Sequence, residues 1–202
     1  MPKRDVNPAE DAPAATAKER LIDAAYDLFT QQGVQKVGVD AVLDKSGCAK
    51  ASLYRNFDSK VDLAVAVLDK REQLWTRGWL EDAIKTRHAT PYDRLLAIFD
   101  VFDGWFRKAD FEGCSFINVL LESDNDSPVR EAAAIHLARI RAIVHELAVD
   151  AGLEDPDEFA QAWHMLMKGS IVSAGEGNKN AAREGKRAAQ LVIDGWPRRS
   201  PA

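Results

Sequence analysis

Apolar residues recur along this chain at spacings of three and four, and no stretch keeps the alternation of a strand. The pattern predicts an all-α protein of about nine helices. Thr16-x-x-Glu19 has the form of a capping box, in which each side chain satisfies the other residue's backbone N–H. Leu21, Ile22, Ala25, Leu28 and Phe29 then form one apolar stripe, and Gly33 suits the helix end. Two short helices are expected at 39–45 and 49–57, with a turn at 46–48. Ser59-x-x-Asp62 reads as a second capping box and opens a helix running to residue 86. Pro91 fits the first turn of a helix over 91–109. A short helix near 114–123 follows, and Ser127-Pro128 opens another over 128–151. Asp155-Pro156-Asp157-Glu158 starts a helix over 156–175, with a capping Asp and acids in the first turn. The last helix covers 179–195. Residues 1–15, rich in Pro, Ala and Asp without period, read as a disordered arm.

The two short helices and their turn have the layout of a helix-turn-helix, whose second helix enters the major groove of DNA. On a helical wheel Leu53 and Phe57 fall together, with Ala49 and Asn56 beside them, facing inward. Lys50, Ala51, Tyr54 and Arg55 spread over the opposite arc. Lys50 and Arg55 suit phosphates or guanine edges, the Tyr54 hydroxyl suits a phosphate, and Ala51 lets the backbone come close to bases. Lys60 sits in the first turn of the following helix, where backbone N–H groups also attract phosphate. Ser52 and Lys45 complete the candidate DNA-binding set. A short helix with two basic residues outward is, taken alone, as readily a solvated face.

The formal net charge of −5 argues mildly against a nucleic-acid partner, but the charge is unevenly placed. Residues 1–60 are neutral, with nine bases and nine acids, and the whole excess of acid lies in 61–202. Between 45 and 60, Lys45, Lys50, Arg55 and Lys60 face only Asp58, a local excess that suits phosphates. The start of the chain has no signal-peptide pattern and no apolar run spans a membrane, so a reducing cytoplasm is the expected home. Cys48 and Cys114 are far apart and in no metal-ligand spacing. No cofactor or metal is expected.

Residues 16–63 resemble the DNA-binding domain of the TetR family of bacterial transcription regulators. The resemblance rests on Thr16, Ala24, Ala25, Leu28, Phe29, Gly33, Gly47, Lys50, Ser52, Leu53, Tyr54, Phe57, Ser59, Lys60 and Leu63. The run SLYRNFDSKVDL is close to the family's Leu-Tyr-x-x-Phe-x-x-Lys-x-x-Leu, and EGCSFINVLLE at 112–122 resembles a Gly-Cys-x-x-x-Asn segment of some members. Gly38, Ala49 and Asn56 depart from the family's frequent Ser/Thr, Ser and His. The resemblance implies an Ω-shaped homodimer, a repressor released from a palindromic operator by a small-molecule effector. It divides the chain into the arm at 1–15, a DNA-binding domain at 16–60 and a regulatory, dimer-forming domain at 61–202.

In the regulatory half, aromatic side chains recur at helical spacing. Such a stripe is usually core, but large rings opposite small residues also enclose apolar cavities. The family resemblance favours a pocket for an apolar or aromatic ligand, with Trp79, Phe99, Phe102, Phe106, Phe116, Asn118, His136, Trp163 and Met167 as candidate contacts; His164 is a further polar candidate. Small and apolar residues on the last two helices, Ser170, Ile171, Ala174, Ala181, Gly185, Ala188 and Val192, suit a dimer interface, the alternative being packing inside one subunit. Two other readings stay open from the residues alone. One is a helical enzyme, which no nucleophile motif or phosphate loop supports. The other is a helical interaction module whose basic patch binds without DNA sequence preference.

Overall fold

The computed structural model describes residues 15–87 and 90–199. Apart from Ala15, the expected N-terminal arm lies outside the described residues. The architecture is all-α, with helices α1 (Ala17–Gln32), α2 (Val39–Ser46), α3 (Lys50–Asn56), α4 (Lys60–Arg71), α5 (Asp82–Arg87), α6 (Pro91–Phe106), α7 (Ser115–Glu122), α8 (Pro128–Asp150), α9 (Pro156–Gly175) and α10 (Ala181–Gly195). A π-helical segment, Glu72–Glu81, joins α4 to α5 without a break, so the expected single helix from 59 to 86 is one rod in three parts. Among the described residues the only β contact is an isolated bridge between Leu153 and Arg198.

Local chemistry explains most helix ends. The Thr16 hydroxyl accepts from the Glu19 N–H at 3.2 Å, and the Glu19 carboxylate accepts from the Thr16 N–H at 2.7 Å, completing the predicted box. At α4 only half of the expected box forms. Ser59 Oγ accepts from the Asp62 N–H, but the Asp62 carboxylate takes the Ser59 hydroxyl proton instead of the backbone donor. Asp155 also departs from expectation: it adopts a left-handed conformation, φ 45°, and makes no side-chain cap. Pro156 at the first position still starts α9 there. The turn between α2 and α3 needs Gly47, which closes α2 at φ 63° and ψ 22°.

The core runs the length of the molecule. At the N-terminal end Leu21, Ala25, Phe29, Val42, Leu53 and Phe57 bury between α1, α2 and α3, and Leu63 brings in α4. α4 packs on α1 and also on α8, so it belongs to both ends of the molecule. Farther along, Phe99, Phe102, Phe116, Phe159 and Trp163 are fully buried. Their rings meet mainly edge to face, as Phe99 does with Trp163 at 5.8 Å and with Phe102 at 6.1 Å. Pairs of this kind add about 0.5–1.5 kcal/mol each beyond area burial. α10 is tied to α6 by the Lys186–Asp100 ion pair at 2.6 Å and by the Tyr92 hydroxyl, which donates to Asp194 at 2.6 Å. No described helix is long and apolar enough to cross a membrane.

Candidate functional site

The start of α1 and the α2–α3 turn hold each other in place. Arg20 lies 3.7 Å from Cys48 Sγ, and that thiol sits 3.8 Å from the Ala17 carbonyl. Leu53 and Phe57 anchor α3 on the core, and Asn56 Nδ2 donates to the Ser52 carbonyl at 2.7 Å. The outward face is then fixed by the helical period. Lys50, Ala51, Tyr54 and Arg55 are exposed on it, Tyr54 at 51%. Neither Lys50 nor Arg55 forms an ion pair with a described residue, so both charges are available to a partner. Ser52 is half-buried. Lys60, in the first turn of α4, is half-buried, and desolvation lowers its pKa from the ordinary lysine value. Lys45 is turned toward α1, where it pairs with Asp27 at 3.0 Å.

The far end of α4 and the first residue of the π segment join this unit to the rest of the protein through four consecutive charged residues. Asp69 receives His136 Nε2 of α8 at 3.2 Å. Lys70 pairs with Asp23 of α1. Arg71 Nη1 donates to the Tyr26 hydroxyl at 2.7 Å and lies 5.9 Å above the Trp75 ring. Glu72, only 5% exposed, accepts from Arg77 at 2.9 Å and has Arg139 of α8 at 3.9 Å. His136 is 2% exposed and stacks on Phe116 at 5.0 Å. Burial lowers its pKa, which Asp69 partly offsets. Helical period and motif spacing do not single out Asp69, Lys70, Arg71 and Glu72. A charged run inside an apolar-periodic helix was the available signal.

The nine predicted ligand contacts do not enclose one cavity. Phe99, Trp163, Phe116 and His136 are spent on packing against other side chains. Phe106 sits in a ring cluster with Phe102, Trp105 and Phe111. Asn118 Nδ2 donates to the Glu112 carbonyl at 3.1 Å, at the edge of a cleft of about 200 Å³ between α1, α4 and α7. Trp79, with Trp75 and Trp105, lines an open groove of about 700 Å³ that also touches α1. Of the nine, Phe102 and Met167 line the small space between the π segment, α6, α7, α8 and α9, which measures about 10 Å³. Large rings here fill space by meeting one another, and little is left between them.

Four of the predicted dimer residues face inward. Ser170, Ile171 and Ala181 are buried within the chain. A Cβ on Gly185 would lie 2.9 Å from the Phe99 ring and 3.1 Å from Ser170, so that glycine lets α10 approach α6 and α9 of its own chain. Ala174, Ala188 and Val192 are half-buried. The outward apolar residues of α9 and α10 are instead Met165, Val172 and Leu191, at 67%, 50% and 77% exposure. Among the described residues no group of three His, Cys, Asp or Glu could hold a metal ion.

Residues 21–67 match the family model described as bacterial regulatory proteins, tetR family. The chain is 26% identical over 106 residues to an HTH-type transcriptional regulator of Lactococcus lactis, a match covering 52% of this chain and 54% of that protein. It is 27% identical over 145 residues to the HTH-type transcriptional activator FasR of Mycolicibacterium smegmatis, covering 70% of this chain and 64% of that one. The chain thus spans roughly half to two thirds of the length of these curated relatives. A TetR-type transcriptional regulator of Streptomyces avermitilis superimposes with a TM-score of 0.76 at 28% identity, over 87% of this chain and 99% of that one. These relatives and neighbours are named as regulators, not enzymes. The motif on α1–α4, the all-helical architecture and these likenesses agree: residues 21–67 match the DNA-binding domain of the TetR family, and the chain as a whole is similar to regulators of that family.

Proposed function

We propose that this protein is a DNA-binding transcription regulator, acting as a homodimeric repressor that a small ligand releases from a palindromic operator. The observation that carries the reading is the outer face of α3, where Lys50, Tyr54 and Arg55 stand exposed around the small Ala51 while Leu53 and Phe57 anchor the helix from behind. An unpaired basic and aromatic helix face of this size fits the major groove, with Lys60 beside it toward the backbone. Residues 16–60 form the reading unit and 61–202 the control unit.

Two-fold symmetry is supplied by a second copy. Met165, Val172 and Leu191 lie on two helices that pack side by side, an apolar outer surface suited to a self-complementary contact. Control passes through α4. Asp69 and Glu72 face α8 while Lys70 and Arg71 hold α1, so a shift of the regulatory core moves the reading helices. The ligand must bind the non-DNA-binding arrangement better for release to follow.

Selection from random duplex DNA by the purified protein at moderate salt tests this. Enrichment of a palindrome with half-sites about one helical turn apart is the expected result. Retention without a shared motif, or none at all, would count against it.

A further inference from the structure

The small space beside the π segment has an uneven chemistry. Most of its wall is apolar, from Trp75, Phe102, Met167 and neighbours, and no Asp or Glu lines it. Its polar groups are of one kind. His164 is 3% exposed, and its Nδ1 has no hydrogen-bond partner within the chain. Lys168, one turn further along α9, lines the same space and meets no carboxylate within ion-pair distance among the described residues. α7 begins there as well, with Cys114 at its N-cap lining the space, so the positive end of that helix lies beside it. Arg141 adds positive potential from α8.

We propose that this space is the effector site and that its occupant is an organic acid, its carboxylate between Lys168 and His164 and its apolar body among the rings. The proposal rests on the ligand-responsive reading above and names the ligand's class. A buried imidazole without a partner is costly until it is hydrogen-bonded, and a carboxylate can accept from its N–H while meeting the opposite charge of the half-buried Lys168. A hydroxyl, amide or amine brings no negative charge to Lys168, the one cation of the two, since burial keeps His164 neutral.

The space of about 10 Å³ holds no more than one water-sized group, so the acid enters by moving a wall. Trp75 is that wall. It lines both this space and the open groove of about 700 Å³. Turning its ring into the groove joins the two. Trp75 also carries Arg71 over its face at 5.9 Å, and Arg71 holds Tyr26 of α1. Admission of the acid therefore disturbs the contact that positions the DNA-reading unit.

The test uses the full-length protein with octanoate, 4-phenylbutyrate, octanol and octylamine, followed by tryptophan fluorescence and calorimetry. Saturable binding of at least one acid, one per chain and roughly tenfold or more tighter than octanol and octylamine, is expected. Lys168→Met keeps the apolar stem and removes the charge; it should abolish the preference for acid over alcohol, and Lys168→Arg should restore it. Thermal melts establish that each variant is folded. Equal affinity for octanoate and octanol, tighter octylamine, no saturable binding of either acid, or an acid preference that survives in folded Lys168→Met would overturn the proposal. DNA retention by the ligand-free protein is measured alongside. Retention with no acid preference sinks only the ligand class, and loss of retention sinks the regulator reading itself.

Discussion

Replacing His164 by methionine should flatten the acid limb of the stability curve. His164 is 3% exposed, and burial, with Lys168 and Arg141 nearby, pushes its pKa down to about 3. An unfolded chain restores a histidine pKa of about 6.5. Below that pH the unfolded state takes up a proton that the folded state refuses, so stability falls as pH falls, down to the folded value. Between neutral pH and about pH 5 the loss from this one residue comes to about 2 kcal/mol. His136 acts in the same direction, since burial also lowers its pKa, but it is present in both proteins and cancels from the comparison. Methionine is similar in size and leaves no unpartnered ring nitrogen, so His164→Met should be near neutral in effect at pH 7. Urea unfolding at one fixed protein concentration, at both pH values, gives the four free energies. The variant should gain about 2 kcal/mol on the wild type as pH drops. Parallel losses in the two proteins would refute the claim that His164 is buried neutral.

Other changes test the remaining parts of the account. Gly185→Leu drives a side chain into Phe99 and Ser170, so it should cost roughly 1–3 kcal/mol or more in thermal or urea unfolding; an unchanged midpoint would mean that α10 does not approach α6 so closely. Met165→Glu with Leu191→Glu should yield a folded monomer by sedimentation velocity, since both residues are exposed in the single chain. A dimer that persists would move the interface elsewhere. Arg71→Ala removes the bond to Tyr26 and should speed amide exchange in α1 and α4 while leaving α9 protected. Uniform exchange across the chain would deny α4 its role as the joint.

What could be read in advance was local. The Thr16–Glu19 box depends on residues three apart, and the outer face of α3 follows from helical period alone, so both were legible. Asp155 shows where a local rule gives way, because its backbone is left-handed and its side chain caps nothing. Small residues such as Gly185 look the same in sequence whether the approaching helix belongs to the same chain or to another. Here it belongs to the same chain, and the outward surface carries Met165 and Leu191 instead. The phenylalanines of α6 raise the same ambiguity between core and cavity, and most are core. The contact of Asp69 with His136 joins helices far apart in the chain, and no spacing rule reports it. The π segment leaves the three-and-four pattern of apolar residues nearly intact, so it too was invisible.

The central claim is that α3 reads DNA in two symmetric half-sites. It is tested most directly by footprinting wild type and a Lys50→Ala, Tyr54→Ala double variant on a duplex recovered by selection. Two protected half-sites, centred about 34–36 Å apart and lost in the folded double variant, are the predicted result. Protection that is uniform along the duplex, or that survives both substitutions, would contradict it.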